Sequence, residues 1–110
     1  MDHYYNEEDL SKFSDIGKNR PKLWQKFLAW YNATQEEGAL TRREKQLIGL
    51  GVSVALQCPY CIDAYTQGCL ESGSNMDEMT EAIQVSSAIR GGSALIHGLQ
   101  VRNAVDKLSM

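Results

Sequence analysis

The chain has 110 residues, of which 43% are hydrophobic and 23% charged, and its formal net charge is −3. This length and composition are typical of a single globular domain, residues 1–110, with a modest core. The chain carries no basic run that would bind nucleic acid, and its longest apolar run, residues 47–56, is too short to span a membrane.

The first 20 residues form a polar extension in which we expect at most one short helix. The acidic start, MDHYYNEEDLSK, lacks the basic and apolar segments of a signal peptide, so we expect a cytoplasmic protein. A first long helix is predicted to begin at Pro21, because the first helical turn does not need the N–H that proline lacks. It should end at Glu37-Gly38.

The next helix is predicted to begin behind a capping box, in which Thr41 and Glu44 each accept a hydrogen bond from the other's backbone N–H. Apolar residues lie on nearly every side of this helix, as expected for the buried central helix of a bundle. It should end near Gln57, because the residue that precedes Pro59 disfavours the helical conformation.

The rest of the chain also has helical periodicity. We expect a helix from Pro59 to Gly73, another that begins at Asn75, and a last helix that Gly91-Gly92 separates from it. The inward-facing residues of the helix that begins at Asn75 are predicted to be Met79, Ile83 and Ile89. Since no segment alternates apolar and polar residues as a half-buried strand does, the sequence predicts an all-α fold with five or six helices.

The motif with the clearest chemistry is CPYC, residues 58–61, at the start of the helix that follows the central one. Cys58 takes the N-cap position and Cys61 lies in the first turn, where unpaired backbone N–H groups and the helix dipole stabilise a thiolate. The spacing also brings the two sulfur atoms within disulfide reach. An activated thiol with a resolving partner is the minimum requirement for disulfide exchange or peroxide reduction.

Metal binding is the alternative use of such a pair. A structural zinc site usually takes four ligands from two pairs, and this chain has one pair. Cys69 lies in the same helix, about 12 Å beyond Cys61 at 1.5 Å per residue, so it cannot complete a site with the pair. A site shared between subunits is the remaining route. We expect no metal and interpret Cys69 as a buried core residue.

The run LTRREKQLIGLGVSVALQCPYCIDAYTQGCLESGSNMDEMTEAI resembles the core of the alkylhydroperoxidase D-like (AhpD-like) or carboxymuconolactone decarboxylase family, over residues 40–92. The resemblance implies an all-α bundle, assembly into trimers or hexamers, and hydroperoxide reduction without a metal or other cofactor. It makes Cys61 the residue that forms a sulfenic acid and Cys58 the resolving thiol, with an external dithiol as the reductant. By analogy with thioredoxin-like proteins, Cys58 would attack first instead, and the sequence leaves this order open.

Two positions depart from the family's peroxidase pattern. A histidine usually stands one turn after the second cysteine and a glutamate twelve residues before the first, whereas this chain has Tyr65 and Gln46 there. Tyrosine is a poor base at neutral pH and glutamine cannot take a proton, so we expect weaker peroxidase activity. Glu44 and His97 are candidate replacements for the missing groups. The capping box already explains Glu44, and a partly exposed helix residue is the favoured interpretation of His97.

Three alternatives to the peroxidase interpretation follow from the residues and the resemblance. The form CPYCIDAYT resembles a peroxidase-like branch associated with arsenosugar synthesis, and paired thiols bind trivalent arsenic well. The protein would then be a thiol sensor or an arsenical-binding protein without turnover. A lyase of the carboxymuconolactone decarboxylase type is the third alternative, although that branch works without a cysteine pair.

Overall fold

The structure is a computed structural model that describes residues 6–109, and these residues contain helices and no strand. The all-α prediction is therefore confirmed. Among the described residues, no helix combines the length and hydropathy needed to cross a membrane. A 3-10 helix, Glu7–Gly17, precedes five α-helices: α1 (Pro21–Gln35), α2 (Arg42–Leu56), α3 (Pro59–Glu71), α4 (Met76–His97) and α5 (Leu99–Ser109).

Two capping boxes fix the starts of α2 and α4. The Glu44 backbone N–H donates to Thr41 Oγ1 at 3.1 Å, and the Thr41 N–H donates to Glu44 Oε1 at 2.8 Å. Asn75 and Glu78 repeat this exchange at 2.9 and 3.0 Å. Both helix starts lie where the sequence predicts them, because each cap is made by residues three apart in the chain.

Helix α1 begins at Pro21 as predicted but ends earlier than Glu37-Gly38. The last helical residue is Gln35, and Glu36 is already extended with ψ 152°. The Glu36 carbonyl accepts a hydrogen bond from Lys45 Nζ, and the Gly38 N–H donates to the Leu40 carbonyl at 3.0 Å. These contacts tie the α1–α2 connection to α2 and stop α1 before the glycine.

The predicted break at Gly91-Gly92 is wrong. Helix α4 runs unbroken to His97, and Gly98 separates it from α5. Glycine in a helix costs only about 1 kcal/mol relative to alanine and keeps both backbone hydrogen-bonding groups, so two glycines do not end a helix. A Cβ at either glycine would meet no atom within 4 Å, so nothing in the described chain packs against α4 at these two positions.

Helix α2 lies at the centre of the bundle, with α3 and α4 packed on it. Arg43 pairs with Glu78 at one end, Ser86 Oγ donates to the Gly51 carbonyl at 2.7 Å in the middle, and the Arg90 guanidinium donates to the Ala55 carbonyl at the other end. Since the offset between the helices is constant, α2 and α4 run in the same direction. The buried apolar residues of the described chain come one from each of these three helices: Leu50, Cys69 and Met79.

One side of α2 is open in the single chain, although the sequence predicts a helix buried all round. Ile48 and Val52 are 54% and 52% exposed. On the neighbouring helix, Ile89 is 68% exposed, so its predicted inward orientation is wrong for this chain, whereas Met79 is buried and Ile83 packs against the core. Two covering helices shield only part of the surface of a third, and no further helix of the described chain covers the rest.

Candidate active site

The chain reverses direction between α2 and α3 within two residues, and this turn places the cysteine pair. Gln57 is the C-cap of α2 in the left-handed conformation, with φ 57°, and the Cys58 N–H donates to the Ser53 carbonyl at 3.1 Å. Pro59 then begins α3, where the proline nitrogen needs no partner. Cys58 is therefore the N-cap of α3, as predicted.

Cys58 and Cys61 form a disulfide across the first turn of α3, with their Cα atoms 5.2 Å apart. The Cys61 backbone N–H donates to Cys58 Sγ at 3.3 Å. Both residues are half-buried. Because the N–H group and the positive end of the helix dipole both favour negative charge on sulfur, a reduced Cys58 would be a stabilised thiolate.

Tyr65 lies one turn after Cys61, and its ring rests on the backbone of α2. A Cβ at Gly49 would overlap the ring, so the glycine provides the space that the ring fills. The hydroxyl groups of Tyr65 and Tyr31 hydrogen-bond at 2.6 Å. Burial, followed by this hydrogen bond, raises the pKa of Tyr65 to about 12, so the phenol is neutral at neutral pH and acts as a hydrogen-bonding group.

Gln46 is buried on the facing helix and adjoins Tyr65 in the same pocket. Its side-chain carbonyl lies where a Cβ on Gly68 would be, and its Nε2 donates to Gln35 Oε1 at 3.2 Å. The structure thus brings Gln46 and Tyr65 together, as the spacing predicts. The pocket has a volume of about 480 Å³ and is lined by Tyr31, Asn32, Gln35, Glu36, Glu37, Arg42, Gln46, Ala64 and Tyr65.

Tyr31 and Gln35 are the site residues that sequence reasoning missed. Both come from α1 and contact the two positions at which this chain departs from the usual pattern. They stand four residues apart, hence on one face of α1, and this spacing was the available signal. It carries no information about which other helix that face contacts.

Comparison with known proteins places this site in a family. The sequence model of the carboxymuconolactone decarboxylase family matches residues 21–104, which include all of α1–α4 and the cysteine pair. The chain belongs to this family. The resemblance noted from the residues 40–92 is therefore confirmed and extends to α1.

The chain is similar to two curated proteins and to a solved structure. "Uncharacterized protein 4 in cox locus" of Paracoccus denitrificans is 34% identical over 82 residues, 74% of each chain. An uncharacterized protein of Haemophilus influenzae is 34% identical over 55 residues, about half of each chain. A crystal structure of a protein from Methanobacterium thermoautotrophicum has a TM-score of 0.75 at 34% identity and covers 78% of this chain and 97% of that one. The family and its fold are thus shown.

Glu44 and His97, the candidate replacements for the family's histidine and glutamate, both lie apart from the pocket. Glu44 is exposed in the first turn of α2, roughly 18 Å along the helix from its cysteine-bearing end. The backbone hydrogen bond from Thr41 lowers the pKa of Glu44, in agreement with its capping role. The exposed ring of His97 hydrogen-bonds the Ser93 carbonyl through Nδ1 at 2.7 Å. His97 lies two helical turns beyond Arg90, the residue of α4 that bonds the Ala55 carbonyl at the end of α2.

The N-terminal extension also contacts the CPYC motif. The hydroxyl of Tyr60, which stands between the two cysteines, donates to Asp9 Oδ2 of the 3-10 helix at 3.2 Å. Burial, followed by the bond to Asp9, raises the pKa of Tyr60. Residues 1–5 of the predicted extension lie outside the described residues. No sequence pattern predicts this contact, because the two residues are 51 positions apart.

Cys69 takes no part in the site. Its side chain is fully buried between Leu50 and Met79, and burial raises the pKa of its thiol. A protonated, inaccessible thiol is unreactive. Its interpretation as a core residue is confirmed.

Proposed function

We propose that this protein is a thiol-dependent oxidoreductase of the peroxidase type, in which Cys58 and Cys61 cycle between dithiol and disulfide. The observation that carries the proposal is the Cys58–Cys61 pair itself, closed across a helix N-terminus that favours a thiolate. Membership of the carboxymuconolactone decarboxylase family supports a redox role for the pair. The substrate would be a hydroperoxide or a disulfide.

In the oxidising half-reaction, we assign the attack to Cys61, as the family resemblance implies, and its thiolate attacks the terminal oxygen of a hydroperoxide. A sulfur–oxygen bond forms, the oxygen–oxygen bond breaks, and the alcohol leaves after taking up from water the proton that Cys61 lost when it ionised. The Cys58 thiol then attacks the sulfenic sulfur of Cys61, so that the disulfide forms and water leaves with the proton of Cys58. The pair loses two electrons and the hydroperoxide gains them.

In the reducing half-reaction, an external dithiol restores the pair. One thiolate of the dithiol attacks Cys61 Sγ and expels Cys58 as a thiolate, which accepts the hydrogen bond of the Cys61 N–H. The second thiol of the reductant then closes its own disulfide and releases Cys61, and the two reductant protons pass to the pair. A stabilised thiolate leaves faster, so this geometry favours attack on Cys61.

Tyr65 and Gln46, which take the usual histidine and glutamate positions, orient groups without accepting protons. With its pKa raised to about 12, Tyr65 stays protonated and can donate to a peroxide oxygen or a water, but it cannot act as a base. Gln46 is likewise neutral and is fixed by Gln35. We therefore expect slower peroxide reduction than in family members with a histidine and a glutamate. No observation among the described residues favours the lyase or the arsenical-binding alternative.

Mass spectrometry during peroxide titration of the reduced protein, with a sulfenic-acid trap present, tests the proposal. We expect stoichiometric formation of the Cys58–Cys61 disulfide in the wild type, accumulation of trapped Cys61 in Cys58→Ser, and no disulfide in Cys61→Ser. Cys69→Ser is the matched control, since Cys69 is buried away from the pair, and it should oxidise like the wild type.

The same titration distinguishes the roles of the two cysteines. A trap that lands on Cys58 in the Cys61→Ser variant, with none on Cys61 in Cys58→Ser, would reverse the assigned order. Oxidation of the pair no faster than that of a free thiol in solution, by both a hydroperoxide and a small disulfide, would overturn the proposed function.

A further inference from the structure

Helix α1 carries two apolar rows, and its own chain covers only the first. The half-buried residues recur at intervals of three and four and turn toward the bundle: Trp24, Leu28, Tyr31 and Gln35. Beside them runs a second row in which Leu23, Phe27 and Trp30 are 67%, 43% and 66% exposed. Packing of α1 on the bundle requires the first row alone, so it does not account for the second.

Two lysines border this exposed row. At about 100° of rotation per helical residue, Lys26 lies about 40° and Lys22 about 80° from Trp30, on the side of the row away from the bundle. Both lysines are exposed, and within residues 6–109 neither forms an ion pair. We call these two lysines, together with Leu23, Phe27 and Trp30, the outer face of α1.

The charge of this part of the chain is opposite to that of the protein as a whole. Residues 16–35 contain no acidic residue and four basic ones: Lys18, Arg20, Lys22 and Lys26. Because the net charge of the chain is −3 and this segment contributes +4, all other residues together carry −7. A positive surface with exposed aromatic side chains, on an otherwise acidic protein, is complementary to an anionic partner.

The composition of the outer face favours a lipid surface over a protein as that partner. Lysine is depleted at protein–protein interfaces, whereas two lysines border this row. Tryptophan and lysine together are typical of helices that lie in the membrane interface, because the indole ring sits at the level of the headgroups and the lysine stem lies along apolar groups while its ammonium reaches the phosphates. Helix α1 has 15 residues and is about 22 Å long, so both lysines and the apolar row can contact one flat surface.

We propose that the outer face of α1 docks on the surface of an anionic lipid bilayer. The helix lies parallel to the surface, with Leu23, Phe27 and Trp30 in the headgroup region. Lys22 and Lys26 contact the negatively charged headgroups. The attachment is peripheral and reversible, because the inner row of α1 stays on the bundle and only one short apolar row enters the lipid.

This proposal does not rest on the redox function. It rests on the exposed apolar row, the lysines beside it and the positive charge of residues 16–35. The outer face shares no residue with the pocket, although the ring of Phe27 lies beside that of Tyr31, with centroids 5.8 Å apart. Variants of the outer face can therefore be made without changing a residue of the candidate site.

Flotation of the full-length protein with lipid vesicles tests the proposal. At low salt, the wild type should float with vesicles of equal parts phosphatidylcholine and phosphatidylserine and not with vesicles of phosphatidylcholine alone. Binding should weaken as salt is added, because the ions screen the lysine contacts. The double variant Lys22→Gln, Lys26→Gln should bind at least about tenfold more weakly, since each lysine at such a surface contributes roughly fivefold.

The matched control for charge is Arg102→Gln, Lys107→Gln. It removes the same two positive charges from exposed positions of α5, so the net charge changes equally while the outer face stays intact. This control should bind like the wild type. An equal loss of binding in both double variants would show that overall charge governs the interaction and would overturn the proposal.

A second comparison tests the apolar row. Leu23→Ser should weaken binding to the phosphatidylserine vesicles several-fold, whereas Leu95→Ser, at an 81% exposed position of α4, should leave it unchanged. Both side chains are exposed, so both variants should retain the helical circular dichroism of the wild type. In the wild type, vesicles should also shift tryptophan emission to shorter wavelength, and Trp30→Phe should lose most of this shift. Failure of the wild type to float with the phosphatidylserine vesicles at low salt would overturn the proposal, and so would equal binding by Leu23→Ser and the wild type.

Discussion

The α2–α3 contact and the C-terminal arm, residues 91–109, use glycine in opposite ways. Between α2 and α3, a Cβ at Gly49 would overlap Tyr65 and one at Gly68 would overlap Gln46, so each glycine accommodates a side chain of the pocket. In the arm, Gly91 and Gly92 have no atom within 4 Å of an added Cβ. The pocket is thus assembled within one chain, whereas nothing packs against α4 at its two glycines.

This difference separates the part of the chain that holds the cysteine pair from the part that the chain leaves uncovered. The cysteine pair, Tyr65 and Gln46 are held by three helices of the same chain, so their geometry does not require a partner. The arm makes few contacts and exposes its backbone hydrogen bonds to water, so in an isolated chain it should open at low free energy.

The largest effect is expected from filling the space at Gly49. In Gly49→Ala the new methyl group must displace the ring of Tyr65. This ring lies against the α2 backbone, and its hydroxyl is hydrogen-bonded to the Tyr31 hydroxyl, so it has little room to move. Overpacking of this kind typically costs about 1–3 kcal/mol of unfolding free energy. Urea denaturation followed by circular dichroism measures it. We also expect slower oxidation of the cysteine pair, since Tyr65 is one turn from Cys61.

Gly91→Ala is the control for this substitution, because it adds the same methyl group to a helix with open space around it. Alanine is the better helix former, so this variant should gain up to about 1 kcal/mol. The comparison between the two regions fails if Gly49→Ala is as stable as the wild type or if Gly91→Ala loses stability to the same extent.

The elements that could be predicted from the sequence are those fixed by neighbours along the chain. The Thr41–Glu44 and Asn75–Glu78 capping boxes and the proline starts at Pro21 and Pro59 require residues no more than three positions apart. The early end of α1 was missed because the Glu36 carbonyl bonds Lys45, nine residues away, and no local residue signals that contact.

The same distinction divides the candidate site. Cys58 and Cys61 were predicted with their positions in the helix, because the motif and its helix start are local. The Tyr31–Tyr65 bond spans 34 residues and the Tyr60–Asp9 bond spans 51, so both depend on how the helices pack. Exposure of Ile89 and Val52 also depends on packing, since periodicity shows which residues share a face but not whether a partner covers that face.

A second, smaller effect concerns the pair of tyrosine hydroxyls and its dependence on pH. The pKa of Tyr65 is raised from 10.0 to about 12, so the folded protein keeps this proton in a range where the unfolded chain loses it. Below pH 10 the contribution of Tyr65 to stability is complete. Stability should therefore fall as the pH rises from 10 to 12. The slope should be smaller in Tyr65→Phe.

Tyr31→Phe tests the contribution of the partner hydroxyl. It removes the second cause of the raised pKa but leaves burial, the first, so ultraviolet titration of the tyrosines should give a pKa for Tyr65 between 10.0 and about 12. At neutral pH the loss of this partly buried bond should cost about 0.5–1.5 kcal/mol. Equal pH slopes for the wild type and Tyr65→Phe would show that the phenol is not held in its protonated state by the fold.

The smallest effect is expected where the extension meets the cysteine motif. Asp9→Asn keeps the shape of the side chain but weakens the hydrogen bond from Tyr60, so the 3-10 helix should lie less firmly over the motif. The pKa of Tyr60 should fall toward its ordinary value, and the reduced pair should react faster with a thiol-alkylating reagent, by less than about tenfold. Asp15→Asn, which pairs with Lys18 on the same 3-10 helix, is the control and should leave the alkylation rate unchanged. If both variants changed the rate equally, a general loosening of the extension would explain it, and the Asp9–Tyr60 contact would have no specific part in access to the pair.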